Sequence, residues 1–189
     1  MIRIAIVGDI GSGKSHIAKL FNYPIFNADL EVAKIYKTSK QCFEDLKKKL
    51  PKYFSSLPIK KEEIIKAIVD SEKNLKKITK IVHPEIRKKL NIFLKNNKKK
   101  EAVILDVPLL LENKLNQKGD IIIFIQSKKT EVTKRLKKRN NFSLDLLNKF
   151  KKIQLSLSYK KKKSHFIIKN NFTNKSAKIN IQKILKKIL

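Results

Sequence analysis

The stretch IRIAIVGDIGSGKSHIAKLF, residues 2–21, decides the fold of this chain. Residues 2–7 form a β-branched apolar run, which is typical of a strand buried on both faces. Residues 17–21 carry apolar side chains at helical spacing. Between the two, Gly8 to Ser15 match the pattern G-x-x-x-x-G-K-[ST] at every fixed position. A strand, a glycine loop and a helix in this order predict a phosphate-binding loop.

Three of the 4 glycines of the chain lie in this loop. Glycine lets the backbone turn tightly enough for successive N–H groups to converge on a phosphate at the start of a helix. In such a loop Lys14 reaches the β- and γ-phosphates of a nucleotide, and the Ser15 hydroxyl binds Mg²⁺. The loop predicts a nucleotide but leaves open which group receives the phosphoryl group.

A second apolar run, residues 23–29, ends in a carboxylate, Asp29. Because the carboxyl ends of parallel strands gather at the ligand edge of a sheet, we expect Asp29 near the γ-phosphate. There it can accept a proton from an attacking hydroxyl, position that hydroxyl or hold a magnesium-bound water. The alternative is a purely structural role as the N-cap of the next helix.

A third apolar run, residues 101–106, is closed by Asp106. This carboxylate can reach the magnesium shell through water, and capping of the following loop is the alternative. Glu112 either forms a salt bridge or supports the site.

Two further apolar runs, residues 120–125 and 165–168, complete the pattern. Strands that alternate with helices predict an α/β fold of the P-loop NTPase type: a doubly wound, five-stranded parallel sheet flanked by helices.

Two insertions interrupt this alternation, and acceptor selection belongs in such segments. One is rich in amphipathic helix, and the other follows Arg135 and contains Arg139. These arginines, four residues apart, place two cations on one helical face, although a solvated face is the alternative. We therefore predict a single domain over residues 1–189, with its core at about 1–35, 101–136 and 164–189, a helical substrate-binding insertion at about 36–100 and a lid at about 137–163.

The formal net charge of +30 comes from 46 basic and 16 acidic residues and would ordinarily suggest nucleic acid or an anionic membrane. Only four of the basic residues are Arg, and the lysine excess accompanies many Asn and Ile, which are also residues of A/T-rich codons. We therefore attribute the charge to nucleotide bias and expect no specific nucleic acid and no membrane.

One cysteine excludes a disulfide framework, and no apolar run approaches the roughly 18 residues of a membrane span. We expect a cytoplasmic protein.

Six features in order along the chain resemble the dephospho-coenzyme A kinase family: the loop Gly8 to Ser15, Ala28-Asp29, His83-Pro84, the segment Asp106 to Glu112, the lid-like residues 135–154, and Asn170. The resemblance covers essentially the whole length. It implies that ATP, with Mg²⁺, phosphorylates the ribose 3′-hydroxyl of dephospho-coenzyme A, the last step of coenzyme A synthesis. It also implies a small-molecule partner and a monomer or weak oligomer.

The resemblance implies a role for each matching residue. The catalytic group comprises Asp29, Lys14 and Arg139. The metal ligands are Ser15 and Asp106. The acceptor side comprises Asp29, His83, Pro108, Leu109 and Glu112. The ATP-binding residues are Gly8, Asp9, Ile10, Gly11, Ser12, Gly13, Lys14, Ser15, His16, Arg135, Arg139 and Asn170.

The chain departs from the family pattern at several positions. Asn27 replaces the first acid of Asp-Ala-Asp, and the glycine that often follows the Asn after the last strand is missing. His83 with Pro84 is equally compatible with a helix end. One rival interpretation is a nucleoside-monophosphate kinase or another small-molecule hydroxyl kinase, and a second is a basic nucleic-acid-binding protein with a nucleotide site.

Overall fold

A computed structural model describes residues 1–138 and 143–189, so the predicted site residue Arg139 lies outside the described residues. Within these ranges the chain forms five strands and nine helices. In chain order they are β1 (Ile2–Gly8), α1 (Lys14–Leu20), β2 (Ile25–Asn27), α2 (Ala28–Thr38), α3 (Lys40–Lys49), α4 (Lys61–Asp70), α5 (Glu72–Asn96), β3 (Ala102–Asp106), β4 (Ile121–Gln126), α6 (Lys129–Lys137), α7 (Leu144–Lys152), α8 (Leu157–Lys162), β5 (Phe166–Lys169) and α9 (Asn174–Ile188).

The chain divides into two compact units. The sheet unit contains the described residues 1–27, 94–138 and 153–189, and the helical unit contains residues 28–93 and 143–152. All five strands belong to the sheet unit. None of the helices in the described ranges is both long enough and apolar enough to cross a lipid bilayer.

The sheet is parallel throughout, with strand order β2-β3-β1-β4-β5, which confirms the predicted fold. Strands β1 and β3 lie inside the sheet and are buried along nearly their whole length. Their β-branched composition suits a strand covered on both faces. Because the register pairs Asn27 with Asp106, the carboxyl ends of β2 and β3 lie side by side.

Helices α1 and α9 belong to the same buried core cluster as the sheet. Ile17 of α1 and Ile181 and Ile184 of α9 join strand residues such as Ile4 and Ile104 in that cluster. Each such side chain contributes about 1.5–3 kcal/mol when it is removed from water.

The apolar spacing of the last helix predicts that six residues pack on the sheet, namely Ile179, Ile181, Ile184, Leu185, Ile188 and Leu189. Ile181 and Ile184 are buried, but the prediction is wrong for Ile179 and Leu189, which are 45% and 57% exposed. Ile179 precedes Ile181 by two residues, and residues at that separation point to different sides of a helix. The buried face of α9 is therefore narrower than the apolar pattern suggests.

The helical unit has its own apolar core. The amphipathic pattern of residues 36–100 predicts a set of core positions, namely Phe43, Leu46, Leu50, Ile64, Ile65, Ile68, Leu75, Ile78, Ile81 and Val82. Seven of them are buried: Leu46, Leu50, Ile64, Ile68, Leu75, Ile78 and Val82. They recur every three or four residues along α3, α4 and α5, which is the spacing that places side chains on one face of a helix.

Helix α5 runs for 25 residues and contains Pro84 in its interior. The interpretation of His83-Pro84 as a helix end is therefore wrong. A proline inside a helix costs about 3 kcal/mol, because it removes one N–H and crowds the preceding turn. The buried row of α5, which includes Val82, Ile86 and Leu90, offsets that cost.

Candidate phosphate-binding site

The loop from Gly8 to Ser15 joins β1 to α1, as predicted. Helix α1 begins at Lys14, and its N-cap is Gly13 in the left-handed conformation with φ +91°. A Cβ atom at Gly13 would lie 2.5 Å from Nδ2 of Asn170. Backbone conformation and space therefore both require glycine at this position. The N–H groups of the first turn of α1 follow immediately, and the N-terminus of a helix attracts anions.

Two side chains from neighbouring strand ends hold the loop in place. The carbonyl oxygen of Ser12 accepts hydrogen bonds from Asn170 Nδ2 at 2.8 Å and from Ser127 Oγ at 2.9 Å. Asn170 follows β5, and Ser127 follows β4. The structure therefore brings the predicted Asn170 to the loop. It also adds Ser127, which the sequence analysis missed although its position directly after a strand was a usable signal.

Lys14 folds back over the loop. Its Nζ atom donates to the carbonyl oxygen of Asp9 at 2.8 Å and to that of Gly8 at 3.4 Å. The Asp9 carboxylate accepts the N–H of Ile10 at 2.7 Å. A cation held by weak neutral acceptors can exchange them for phosphate oxygens, which bind it more strongly. Ser15 is exposed in the first turn of α1, and Nε2 of His16 lies 2.7 Å from Oδ1 of Asn174.

Asp106 ends β3 and is only 2% exposed. Its Oδ2 atom accepts a hydrogen bond of 2.6 Å from Nδ2 of Asn27, its register partner on β2. A second carboxylate in place of Asn27 would repel Asp106, whereas the amide donates to it. The departure of Asn27 from the family pattern thus leaves Asp106 with a satisfied hydrogen bond at the carboxyl edge of the sheet.

Glu112 forms a buried ion pair with Lys160 of α8 at 2.7 Å, and the two side chains are 9% and 1% exposed. Oε1 of Glu112 also accepts the N–H of Leu155, and Lys160 donates to Oε1 of Gln154 at 2.9 Å. The salt bridge proposed for Glu112 is therefore present. Its role on the acceptor side, like that of the half-buried Pro108 and Leu109, stays a prediction. Lys160 itself was missed because it stands in a run of four lysines.

Arg135 of α6 lies against the turn that follows β5. Its guanidinium carbon is 4.3 Å from the centroid of the Phe172 ring. Asn170 organises this turn, because its Oδ1 atom accepts the N–H of Phe172 at 2.9 Å. Asn170 therefore binds the phosphate loop through its amide nitrogen and the Phe172 turn through its amide oxygen.

Two predicted residues belong to the helical unit. Asp29 is exposed and is the second residue of α2, so it lies inside the first helical turn and not at the N-cap position that we considered as an alternative. A carboxylate in the first turn interacts favourably with the helix dipole. His83 is half-buried in α5, where burial lowers the pKa of its imidazole and the charge of Arg87 lowers it further. The functional roles of both residues stay predictions.

Ser15 and Asp106 offer a hydroxyl and a carboxylate, which are the hard oxygen donors that Mg²⁺ prefers. Among residues 1–138 and 143–189, no group of three or more His, Cys, Asp or Glu side chains could hold a metal ion. A pair of protein donors is compatible with Mg²⁺, because this ion keeps several waters and is otherwise bound by substrate phosphates.

Comparison with known proteins gives consistent matches. The profile of the dephospho-CoA kinase family matches residues 2–176. A dephospho-CoA kinase from Wolbachia sp. subsp. Brugia malayi is 34% identical over 172 residues, covering 87% of each chain. Dephospho-CoA kinase from Campylobacter jejuni has a similar fold, with a TM-score of 0.66 and 22% identity over 98% of this chain and 96% of that one. The protein TT1252 from Thermus thermophilus, known from a crystal structure, also has a similar fold. Its TM-score with this chain is 0.77 at 23% sequence identity, and the match covers 100% of this chain and 98% of that one.

Proposed function

Because this chain belongs to the dephospho-CoA kinase family, we propose that its phosphate-binding loop and Asp29 carry the phosphoryl transfer of that family. The chain is a kinase that phosphorylates the ribose 3′-hydroxyl of dephospho-CoA with ATP and gives coenzyme A and ADP. The observation that supports the residue roles best is the loop itself, which joins β1 to α1 through the left-handed Gly13.

On the nucleotide side, the N–H groups from Gly13 to Ser15 donate to the phosphate oxygens of ATP, whereas the N–H of Ser12 donates to the carbonyl oxygen of Asp9 within the loop. The Lys14 ammonium leaves the carbonyl oxygen of Asp9, to which it donates at 2.8 Å, and binds the γ-phosphate. The hydrogen bonds of Asn170 and Ser127 to Ser12 keep the loop in its binding shape, so little reorganisation is needed when ATP arrives.

Ser15 and Asp106 hold the magnesium ion that accompanies ATP. The Ser15 hydroxyl and the Asp106 carboxylate would supply the protein's oxygen donors to this ion, and Oδ2 of Asp106 accepts the Asn27 amide. When bound, Mg²⁺ neutralises the charge of the β- and γ-phosphates. The amide of Asn27 keeps Asp106 in one orientation for this purpose.

On the acceptor side, Asp29 accepts the proton of the ribose 3′-hydroxyl. The hydroxyl oxygen then forms a bond to the γ-phosphorus while the bond from that phosphorus to the β,γ-bridging oxygen breaks, and ADP leaves. Arg135 and Arg139 neutralise the charge that moves during transfer. His83, Pro108, Leu109 and Glu112 select the acceptor.

We further propose that the enzyme acts in the cytoplasm as a monomer or weak oligomer, without a specific nucleic-acid partner. The lysine-rich composition supports only a nonspecific affinity for polyanions, and such binding falls steeply with salt. Tight binding to duplex or single-stranded nucleic acid that persists at high salt would instead support the nucleic-acid interpretation.

The test is a coupled assay of ADP formation with dephospho-CoA, nucleoside monophosphates or shikimate as the acceptor. We expect turnover with dephospho-CoA and a phosphate on the ribose 3′-oxygen of the product, which phosphorus NMR identifies. Turnover with only the other acceptors would favour the rival small-molecule kinase and contradict the proposal. The variant Lys14→Ala serves as the inactive control for contaminating kinases.

A further inference from the structure

The turns that follow strand β3 carry two of the residues predicted to contact the acceptor. Residues 107–114 form these turns. The N–H of Leu110 donates to the carbonyl oxygen of Val107 at 3.1 Å, and the N–H of Asn113 donates to that of Leu109 at 3.0 Å. Local hydrogen bonds of this kind fix the shape of a turn. Side chains set the position of the turns within the sheet unit, and the fully buried Leu110 is one of them.

A second anchor of these turns is Glu112, through its buried ion pair with Lys160. Oε1 of Glu112 accepts hydrogen bonds from Nζ of Lys160 at 2.7 Å and from the N–H of Leu155 at 3.0 Å. Lys160 also donates to Oε1 of Gln154 at 2.9 Å. We call these four residues the Glu112 network. Leu155 lies 43 positions after Glu112, so the network joins two remote segments of the sheet unit.

The backbone around Lys160 is itself held firmly. Its N–H donates to the carbonyl oxygen of Ser156 at 3.0 Å, and its own carbonyl oxygen accepts Oγ of Ser164 at 2.7 Å. The Ser156 hydroxyl caps α8 by accepting the N–H of Tyr159 at 3.2 Å. Helix α8 contacts β1, the strand that leads into the phosphate-binding loop. The Glu112 network therefore sets the position of the turns relative to the strand that carries the loop.

Stability alone does not account for a buried ion pair. Apolar side chains of similar volume often stabilise a fold as well as such a pair does, because the cost of burying two charges offsets most of their attraction. Hydrogen bonds between charged groups differ from apolar packing in that they are short and directional. The pair of Lys160 and Glu112 therefore adds a fixed geometry that apolar contact at the same place does not provide.

We propose that Lys160 is a positioning residue for the acceptor, because through Glu112 it holds the turns that present Pro108 and Leu109. This inference rests on the proposed function and adds to it a residue that touches neither substrate, since the Lys160 side chain is only 1% exposed. The acceptor hydroxyl must be aligned with the γ-phosphate, and a shift of about 1 Å that originates far from the reacting atoms is costly. Glu112 then selects the acceptor through the position of the turns.

The experiment is a double-mutant cycle of Glu112→Gln and Lys160→Met in the full chain. Calorimetry measures the affinity for dephospho-CoA and, separately, the affinity for ATP, while the coupled assay gives KM and kcat. We expect each single variant and the double variant to weaken dephospho-CoA binding and to raise its KM by a similar factor of about tenfold. ATP affinity should not change. The three effects coincide because each change breaks the same pair.

The double variant separates positioning from stability. It leaves no buried charge, so its melting temperature should recover most of the way towards that of the wild type. Its affinity for dephospho-CoA should nevertheless stay as low as in the single variants. If the single variants fail to fold, the double variant still provides this comparison. The matched control is Lys161→Met, which changes the exposed neighbour on α8 and should match the wild type in both quantities.

Wild-type affinity for dephospho-CoA in the double variant would overturn the positioning role, as would an equal loss of ATP affinity. Additive losses in the two single variants would also overturn it, because they would show that Glu112 contacts the acceptor independently of Lys160. Wild-type protein that neither binds nor phosphorylates dephospho-CoA would instead contradict the proposed function, so the two failures are distinguishable.

Discussion

The sheet unit and the helical unit place their charged side chains differently. In the sheet unit, Glu112 and Lys160 form an ion pair in which neither side chain exceeds 9% exposure. In the helical unit, Lys152 and Glu72 form a pair in which the side chains are 67% and 53% exposed. A buried charge that loses its partner costs several kcal/mol, whereas an exposed pair contributes little. The buried pair of the sheet unit therefore matters much more for stability than the exposed pair of the helical unit.

The largest expected effect is on kcat and comes from Lys14, whose ammonium binds the substrate and contributes little to folding. We expect Lys14→Ala to lower kcat about 10³-fold or more, which corresponds to about 4 kcal/mol of transition-state stabilisation. Thermal unfolding should change little, because Lys14 is only half-buried and the carbonyl oxygens of Gly8 and Asp9 that accept its hydrogen bonds are neutral. The coupled assay and a circular dichroism melt measure the two quantities.

The matched control for Lys14→Ala is Lys19→Ala, which removes an exposed lysine from the last turn of the same helix. Its activity should remain close to that of the wild type. Near-normal turnover of Lys14→Ala would refute the role assigned to the phosphate-binding loop.

The buried pair of Glu112 and Lys160 gives the next effect. We expect Lys160→Met to lower the free energy of unfolding by about 3–5 kcal/mol, because Glu112 is left buried without its partner. Lys161→Met changes the exposed neighbour and should alter stability by less than about 0.5 kcal/mol. Urea unfolding measures both.

A double variant separates charge from packing at this pair. We expect Glu112→Gln combined with Lys160→Met to recover much of the lost stability, since no buried charge remains. A loss below about 1 kcal/mol for Lys160→Met alone would show that the pair does not distinguish the two units.

The acceptor-side carboxylate comes third. We expect Asp29→Asn to lower kcat about 10²-fold, as the loss of a general base does, without a change in ATP affinity. Glu31→Gln is the control, because it removes the same charge from the same turn of α2. If Asp29→Asn retains normal turnover, Asp29 is not the base. Equal losses in Asp29→Asn and Glu31→Gln would show that the effect comes from removing negative charge from the first turn of α2, and not from the loss of a base.

The exposed pair of the helical unit gives the smallest effect. We expect Lys152→Ala to shift the melting temperature by less than about 2 °C, because the pair with Glu72 is solvated on both sides. High salt should leave even this shift undetectable. A shift comparable to that of Lys160→Met would remove the contrast between the two units.

Much of the fold follows from local pattern. The apolar run before Gly8, the glycine loop and the runs that end in Asp106 and Ile125 predict the parallel sheet, because strand burial and strand-end chemistry are visible in a few consecutive residues. Neighbouring strands then bring Asp106 and Asn170 to the edge that carries the loop. Their roles in binding stay predictions, as does that of Arg139 outside the described residues.

Other features depend on residues far apart in the chain. Lys160 stands in a run of four lysines, and only its approach to Glu112, 48 positions earlier, distinguishes it as a buried cation. No local pattern singles out Phe172, and only the tertiary structure places its ring against Arg135. Ile179 reads as a core position, yet it is exposed.

Sequence by itself determined the strand-loop-helix unit at the N-terminus, the five strands and the chemistry that belongs at their ends, because each depends on neighbouring residues and on periodicity. Tertiary structure alone decided which lysine loses its water, which amide orients Asp106 and which ring lies beside the phosphate loop. Burial and distance between remote side chains decide these points, and no local pattern encodes them.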